Sequence, residues 1–298
     1  MTTSAARSGI RTDVGNTPVL VAAFAICAFV GLDTTMKFLG HALPLEQTVL
    51  LRYAVSLPFC LALFIRRPQR PSLASLRANA LRAVLVVVLA LSFFYSVSVL
   101  PLAEAMAIQF LAPFFIAILG RVILKEPLHR RILVGLGIGF AGILVILWGQ
   151  IGGRHGDRAL WGALAALAAA LAYALSNVLV RRQSGRDSLP LIVLAQNLGA
   201  TLLLTVPGAM VWQPVDGRLM MLFVAVALLG TIGQVAMIWA LARAQAARLA
   251  VLEYTAFLWA SLFGYLVFRE VPAPTTLAGA AIIVGACLYA LRQPKRAA

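Results

Sequence analysis

The chain has 298 residues, of which 62% are hydrophobic and 12% charged, with a net charge of +15 and a strongly positive mean hydropathy. So little charge excludes a soluble protein of this length and leaves one that lives in a bilayer. Cys27, Cys60 and Cys287 fall in apolar runs too scattered for a disulfide framework, and His41, His129 and His155 have no spaced co-ligand, so neither metal nor cofactor is expected.

In chain order, a polar tail (1–17) is followed by ten apolar runs of about 20 residues, the length that spans a bilayer core. They cover 18–38, 46–65, 80–100, 103–123, 130–149, 159–180, 189–211, 218–241, 249–268 and 275–291, and a short tail (292–298) ends the chain. The first run holds Asp33 and no cleavage site, so it reads as an uncleaved span. Asp33 and Lys37 lie four apart, on one helix face. Span two runs back, and Arg52 sits about 9 Å below its outer end at 1.5 Å per residue. The three charges share a depth. They read either as a binding site or as an ion pair with a snorkelling arginine, since an unpaired charge at mid-bilayer costs about 2.5–3.5 kcal/mol.

Span three carries Tyr95 beside Ser96, and span four carries Gln109 and Pro113. Span five has glycines at 135, 137, 139 and 142, and span ten answers with Gly279 and Gly285; small residues at this spacing let helices approach closely. No strand precedes the glycines, so they are not a dinucleotide fingerprint. Span six carries Tyr173, Asn177 and Arg181, span seven Gln196 and span eight Trp239. Span nine brings Glu253 and Tyr254. Glu253 reads either as a buried carboxylate that carries a coupling proton or as the partner of Arg248 or Arg243 near the interface. Pro58, Pro113 and Pro207 interrupt spans two, four and seven as hinges or as fixed kinks.

The second half repeats the first at an offset of 144 residues without a gap. Glu126 recurs as Glu270, Gly120 as Gly264, Gly135 as Gly279 and Ala103 as Ala247, with Lys37 matched by Arg181, Asp33 by Asn177 and Tyr95 by Trp239. Five spans per copy is odd, so the second copy, 159–291, enters the bilayer opposite to the first, 18–149. Such an inverted repeat is suited to alternating access around a central site. Asp33, Lys37 and Arg52 then face the outer half, while their copies Asn177, Arg181 and Gln196 face the inner half. Gln109 is the copy of Glu253.

With the N-terminus in the cytoplasm, 19 of the 25 basic residues fall on the cytoplasmic side, which predicts that both termini are inside. The charge therefore reflects anchoring at an anionic leaflet and not a nucleic-acid partner.

The run from Leu100 to Pro113, with Gly120, Lys125-Glu126-Pro127, Gly135 and Gly142, resembles the repeat of the EamA family in the drug/metabolite transporter superfamily. The run from Ala247 through Glu253-Tyr254 and Gly264 to Glu270-Val271-Pro272 resembles its second repeat, so the resemblance covers nearly the whole chain. The first span, with Gln47 and Arg52, is similar to a bacterial subgroup that carries riboflavin, S-adenosylmethionine, carnitine and opine-type metallophores. The resemblance implies ten helices, a bacterial inner-membrane protein, a cavity between the halves and no ATP-driven step. Phe257 stands where a second copy of Pro113 would be, so two equivalent hinges are not implied.

The expected function is a secondary carrier of a small polar or zwitterionic metabolite, coupled to protons. Its candidate site is Asp33, Lys37, Arg52, Tyr95, Gln109, Tyr173, Asn177, Gln196, Trp239, Glu253 and Tyr254. Export of amino acids or toxic analogues is the alternative. An intramembrane enzyme is not expected, because no span pairs a nucleophile with a base or holds two close acids.

Overall fold

The computed structural model describes residues 16–99, 108–147, 158–268 and 274–291. Outside them lie the tail with Arg7 and Arg11, residues 100–107 at the start of span four, Arg154 and His155, residues 269–273 with Glu270, and the C-terminal tail. The side chains of Lys37 and His41 are also outside the description.

Among the described residues all regular structure is helical: α1 (Thr17–Ala42), α2 (Leu45–Arg66), α3 (Leu73–Val99), α4 (Ala112–Ile123), α5 (Arg130–Leu147), α6 (Ala159–Gln183), α7 (Leu189–Met210), α8 (Gly217–Arg243), α9 (Ala246–Ala250), a 3₁₀ turn (Val251–Thr255), α10 (Ala256–Phe268) and α11 (Pro274–Leu291). Hydrocarbon offers no partner to an open amide, so a spanning segment must close its hydrogen bonds within itself. Six helices (α1, α2, α3, α6, α7 and α8) are each long and apolar enough to cross a bilayer, and the shorter pieces complete ten spans in two inverted repeats. Leu202, Val206 and Met210 recur every fourth residue on α7 and are 66%, 68% and 81% exposed, which marks a lipid-facing stripe.

Packing follows the duplication. α5 lies along α11, α2 along α7, and α4 against α9, each a span on its own repeat copy. α1 lies along α8 as α3 lies along α6, and α3 touches α7 as α2 touches α8. Exchanging the halves turns each of these last contacts into its partner, as a two-fold relation requires. The glycines of span five form the seam with α11: a Cβ on Gly135 would meet Ala290 Cβ at 2.5 Å, and one on Gly142 would meet Ile283 Cγ1 at 3.0 Å. The seam joins the two halves to each other.

Three segments differ from expectation. α3 starts at Leu73, seven residues before the apolar run, because Ser72 caps it by accepting the Ser75 amide at 3.1 Å and no helix breaker intervenes. Arg77, outside the expected span, is therefore helical as well, in line with Arg82. Span nine is broken, with the 3₁₀ turn placing Glu253 and Tyr254 between α9 and α10. Pro113 opens α4 at its first turn, where its missing N–H costs nothing, and is not a mid-helix kink in the described segment. Pro58 and Pro207 do lie inside α2 and α7.

Candidate functional site

Two polar side chains of the second half meet, and two charged groups of the first half lie within their electrostatic reach. The Tyr173 hydroxyl on α6 donates to Glu253 Oε1 on the 3₁₀ turn at 2.8 Å. Tyr173 also lies within electrostatic reach of Asp33 on α1, and Asp33 within reach of Arg52 on α2. The Asp33 side chain is exposed although it lies among the helices, as expected of a group lining an open central space. The Arg52 guanidinium stands 5.3 Å from the ring centroid of the buried Tyr53, which holds it by a cation–π contact. A cation, an acid, a phenol and a second acid thus form a row that presents both signs of charge. Glu253 is held by Tyr173, while Arg243 is engaged with Trp239, so the interfacial pairing of Glu253 with Arg243 is not made here.

A second group closes the face on which α1 begins. The Arg181 Nε donates to Glu126 Oε1 at 2.9 Å and its Nη1 to the Leu241 carbonyl at 2.6 Å. The other carboxylate oxygen, Oε2, accepts the Ala246 amide at 3.0 Å. One carboxylate from the first half therefore ties α6 to the α8–α9 junction of the second, with only 10% and 13% of the two side chains exposed. Lys125 aims it: its backbone is left-handed (φ 55°), and the Glu126 amide returns to the Gly120 carbonyl at 3.3 Å.

Near the same face, Arg82 of α3 is 1% exposed. It donates to Gln196 on α7 and, at 3.3 Å, to Gln183 Oε1 at the end of α6. Asn79 and Ser75 complete a polar stripe on α3, and Ser75 donates to Asp187 at 2.7 Å. Sequence reading counted Arg82 only among the basic residues of the cytoplasmic side and took Glu126 only as a marker of the repeat. The spacing of Ser75, Asn79 and Arg82, one helix face, was the signal available for the stripe.

The other expected site residues part company. Gln196 serves Arg82 and Arg181 serves Glu126, whereas Asn177 stays beside the site, its amide bonding back to the Tyr173 carbonyl at 3.1 Å and its side chain within reach of the Tyr173 hydroxyl. Tyr254 is fully buried, its ring against Gly139 and 6.1 Å from Phe110. Trp239 lies under the Arg243 guanidinium (4.0 Å) and lines an apolar groove with Val21, Leu63 and Val235. Tyr95 is 42% exposed. Gln109 is half-buried on span four, with its Oε1 enclosed. Lys37 is on α1, and its side chain lies outside the described residues.

Known proteins agree with this architecture. The EamA-like transporter family profile matches twice, over residues 16–148 and 160–292. The chain is 26% identical over 287 residues to a pseudopaline exporter of Pseudomonas aeruginosa, covering 95% of this chain and 99% of that one. It is 25% identical over 278 residues to an S-adenosylmethionine uptake transporter of Rickettsia prowazekii (89% and 88%) and 24% identical over 290 residues to a riboflavin transporter of Brucella anthropi (92% and 97%). A solved crystal structure at 21% identity superposes with a TM-score of 0.79 over 92% of this chain and 96% of that one, which shows a shared fold. With two family matches over two inverted sets of five spans, the chain belongs to the EamA-like transporter family and is a multi-pass membrane transporter, not an enzyme.

Proposed function

We propose that this protein is a secondary carrier that moves a small zwitterion bearing a carboxylate across the bacterial cytoplasmic membrane. Both termini lie in the cytoplasm, and the repeats 18–149 and 159–291 rock against each other. The observation that carries the reading is the row Arg52–Asp33–Tyr173–Glu253, because it is drawn from both halves and presents both signs of charge at one place. Arg52 offers a planar fork matched to a carboxylate, and Asp33 offers the complement to an amine. The relatives named for pseudopaline and S-adenosylmethionine support a cargo of this chemical type. In this reading the Glu126–Arg181 tie closes the cytoplasmic face while Asp33 stays exposed, which supports an outward-facing assignment of this conformation.

Glu253 carries the coupling proton in this reading: as an acid among apolar helices it is ionised at a cost, and Tyr173 is placed to hold its charged form. The test is uptake into proteoliposomes from a panel of amino acids, carboxyalkyl amino acids, S-adenosylmethionine and riboflavin, with and without a pH gradient. Saturable flux of carboxylate-bearing zwitterions by the wild type, and none by Arg52→Ala, is expected. Full activity of Arg52→Ala removes the site. Reporter fusions at residues 1 and 298 are expected to report cytoplasm, and a periplasmic C-terminus ends the ten-span orientation.

A further inference from the structure

Gln196 is the repeat copy of Arg52: the offset of 144 residues carries one onto the other. Each stands seven residues into its helix, Arg52 from the outer end of α2 and Gln196 from the inner end of α7. That is about 10 Å of helix in both cases. The second repeat has therefore lost the guanidinium at this position, and by sequence the inner half is neutral there.

The structure replaces it. Arg82, on α3, places its guanidinium against Gln196 and so stands beside the inner image of Arg52. The copy of Arg82 in the second repeat is Val226, which packs in the apolar cluster with Leu32 and Phe223. The exchange is complete: the outer half has its arginine on the second span of a repeat and an apolar residue on the third, and the inner half has a glutamine on the second and its arginine on the third. Both half-sites keep one guanidinium at the seam between the halves, supplied by different helices.

The environment of Arg82 is not that of a satisfied structural charge. Its bonded partners are neutral amides, Gln196, Gln183 and Asn79, and the acid that acts on it, Asp187, does so through space while accepting a hydrogen bond from Ser75. Its Nε and the Gln183 Nε2 are both enclosed without a hydrogen-bond partner. A buried cation held by neutral acceptors, with donors left over, is a group that gains when an anion reaches it. Its three helices, α3 from one half and α6 and α7 from the other, separate when the two halves part on the cytoplasmic side.

We infer that Arg82 is the inner-half carboxylate-binding residue, which takes the substrate's carboxylate when the carrier faces the cytoplasm as Arg52 takes it when the carrier faces outward. This rests on the carrier reading above. In the outward-facing conformation Gln196 and Gln183 hold the guanidinium in reserve.

The probe is a carbon-13-labelled bacterial extract offered at low concentration to inside-out and right-side-out membrane vesicles, with mass spectrometry of what crosses. The variants are Arg82→Met, which fills the same buried volume without charge, Arg82→Gln paired with Gln196→Arg, which moves the guanidinium onto the repeat position of Arg52, and Arg52→Gln. Arg82→Met is expected to stay folded, by thermal melting of the purified protein. It should lose at least tenfold of the wild-type-dependent carboxylate flux from the cytoplasmic face and much less from the outer face. The paired variant is expected to recover at least half of that loss. Wild-type flux in Arg82→Met, equal losses from both faces, or a chain that no longer folds, assigns Arg82 to structure and overturns the inference. If Arg52→Gln is inactive while Arg82→Met is normal, only the inference fails; if neither change matters, or the wild type moves no labelled carboxylate, the carrier reading fails with it.

Discussion

Two seams of this transporter are images of each other, α1–α2–α8 toward one face and α6–α7–α3 toward the other, yet they are held by different forces. The first is apolar: Leu32, Met36, Leu51, Phe223 and Val226 pack together, with the charged groups Asp33 and Arg52 within electrostatic reach of each other. The second is polar, with Arg82 bonded to amides and Arg181 bonded to Glu126. Dispersion contacts vary gradually with position, whereas directional charge-assisted hydrogen bonds are either made or lost. One duplicated backbone can therefore carry a smooth seam and a latching one, with the choice made by a handful of side chains.

The strongest way to break the comparison is at the open end. Arg52→Ala is expected to reduce transport at least a hundredfold while the protein still inserts, and Arg52→Lys to recover little of it, because an ammonium cannot form the paired geometry. Initial rates in proteoliposomes measure both. Glu253→Gln is expected to keep exchange of substrate for substrate but to lose accumulation driven by a pH gradient, and counterflow measured beside gradient-driven uptake separates the two. At the latched end, Glu126→Gln removes the charge that Arg181 and the Ala246 amide share. A partly buried pair of this kind costs about 1–3 kcal/mol to break, so the cytoplasmic face should open more often. A cysteine at Ala244, buried in the wild type, should then react faster with an impermeant maleimide from the cytoplasmic side in a chain whose native cysteines are alanine. The smallest effect concerns stability alone. Gly139→Ala drives a Cβ to 2.5 Å from the Tyr254 ring, and overpacking of this kind costs about 1–3 kcal/mol. Gly137→Ala, two residues away with nothing within 4 Å, should leave the melting temperature unchanged.

The architecture was legible because bilayer thickness and backbone satisfaction leave few options for a chain this apolar, and because a gapless repeat fixes how the halves are related. The depth of Asp33 and Arg52 followed from helix rise and span direction alone. What could not be read was which neighbour each polar side chain would choose. Gln196 and Asn177 sit at the right depth, but whether an amide faces the centre or a neighbouring helix depends on helix rotation, and an apolar span carries almost no periodic signal to set it. Arg82 escaped notice for a related reason: it lies two residues inside the apolar run of span three, and hydropathy does not show that the helix begins at Leu73, which puts Arg82 on one face with Ser75 and Asn79. Tyr254 was grouped with its neighbour Glu253, but in a 3₁₀ turn adjacent residues point about 120° apart, and Glu253 meets Tyr173 while the Tyr254 ring packs at Gly139.

The tilted contact of the Phe110 and Tyr254 rings has a geometric consequence for the whole cycle. The two residues are each other's repeat copies, so exchanging the halves maps this contact onto itself. If the inward-facing state is the outward-facing one with the roles of the repeats exchanged, a self-mapped contact is present in both, and the point between these rings is a fulcrum that stays still while displacement grows with distance from it. The Glu126–Arg181 tie maps onto different residues and has no such protection. A covalent staple between positions 110 and 254 should then leave turnover running, while one between 126 and 181 should stop it.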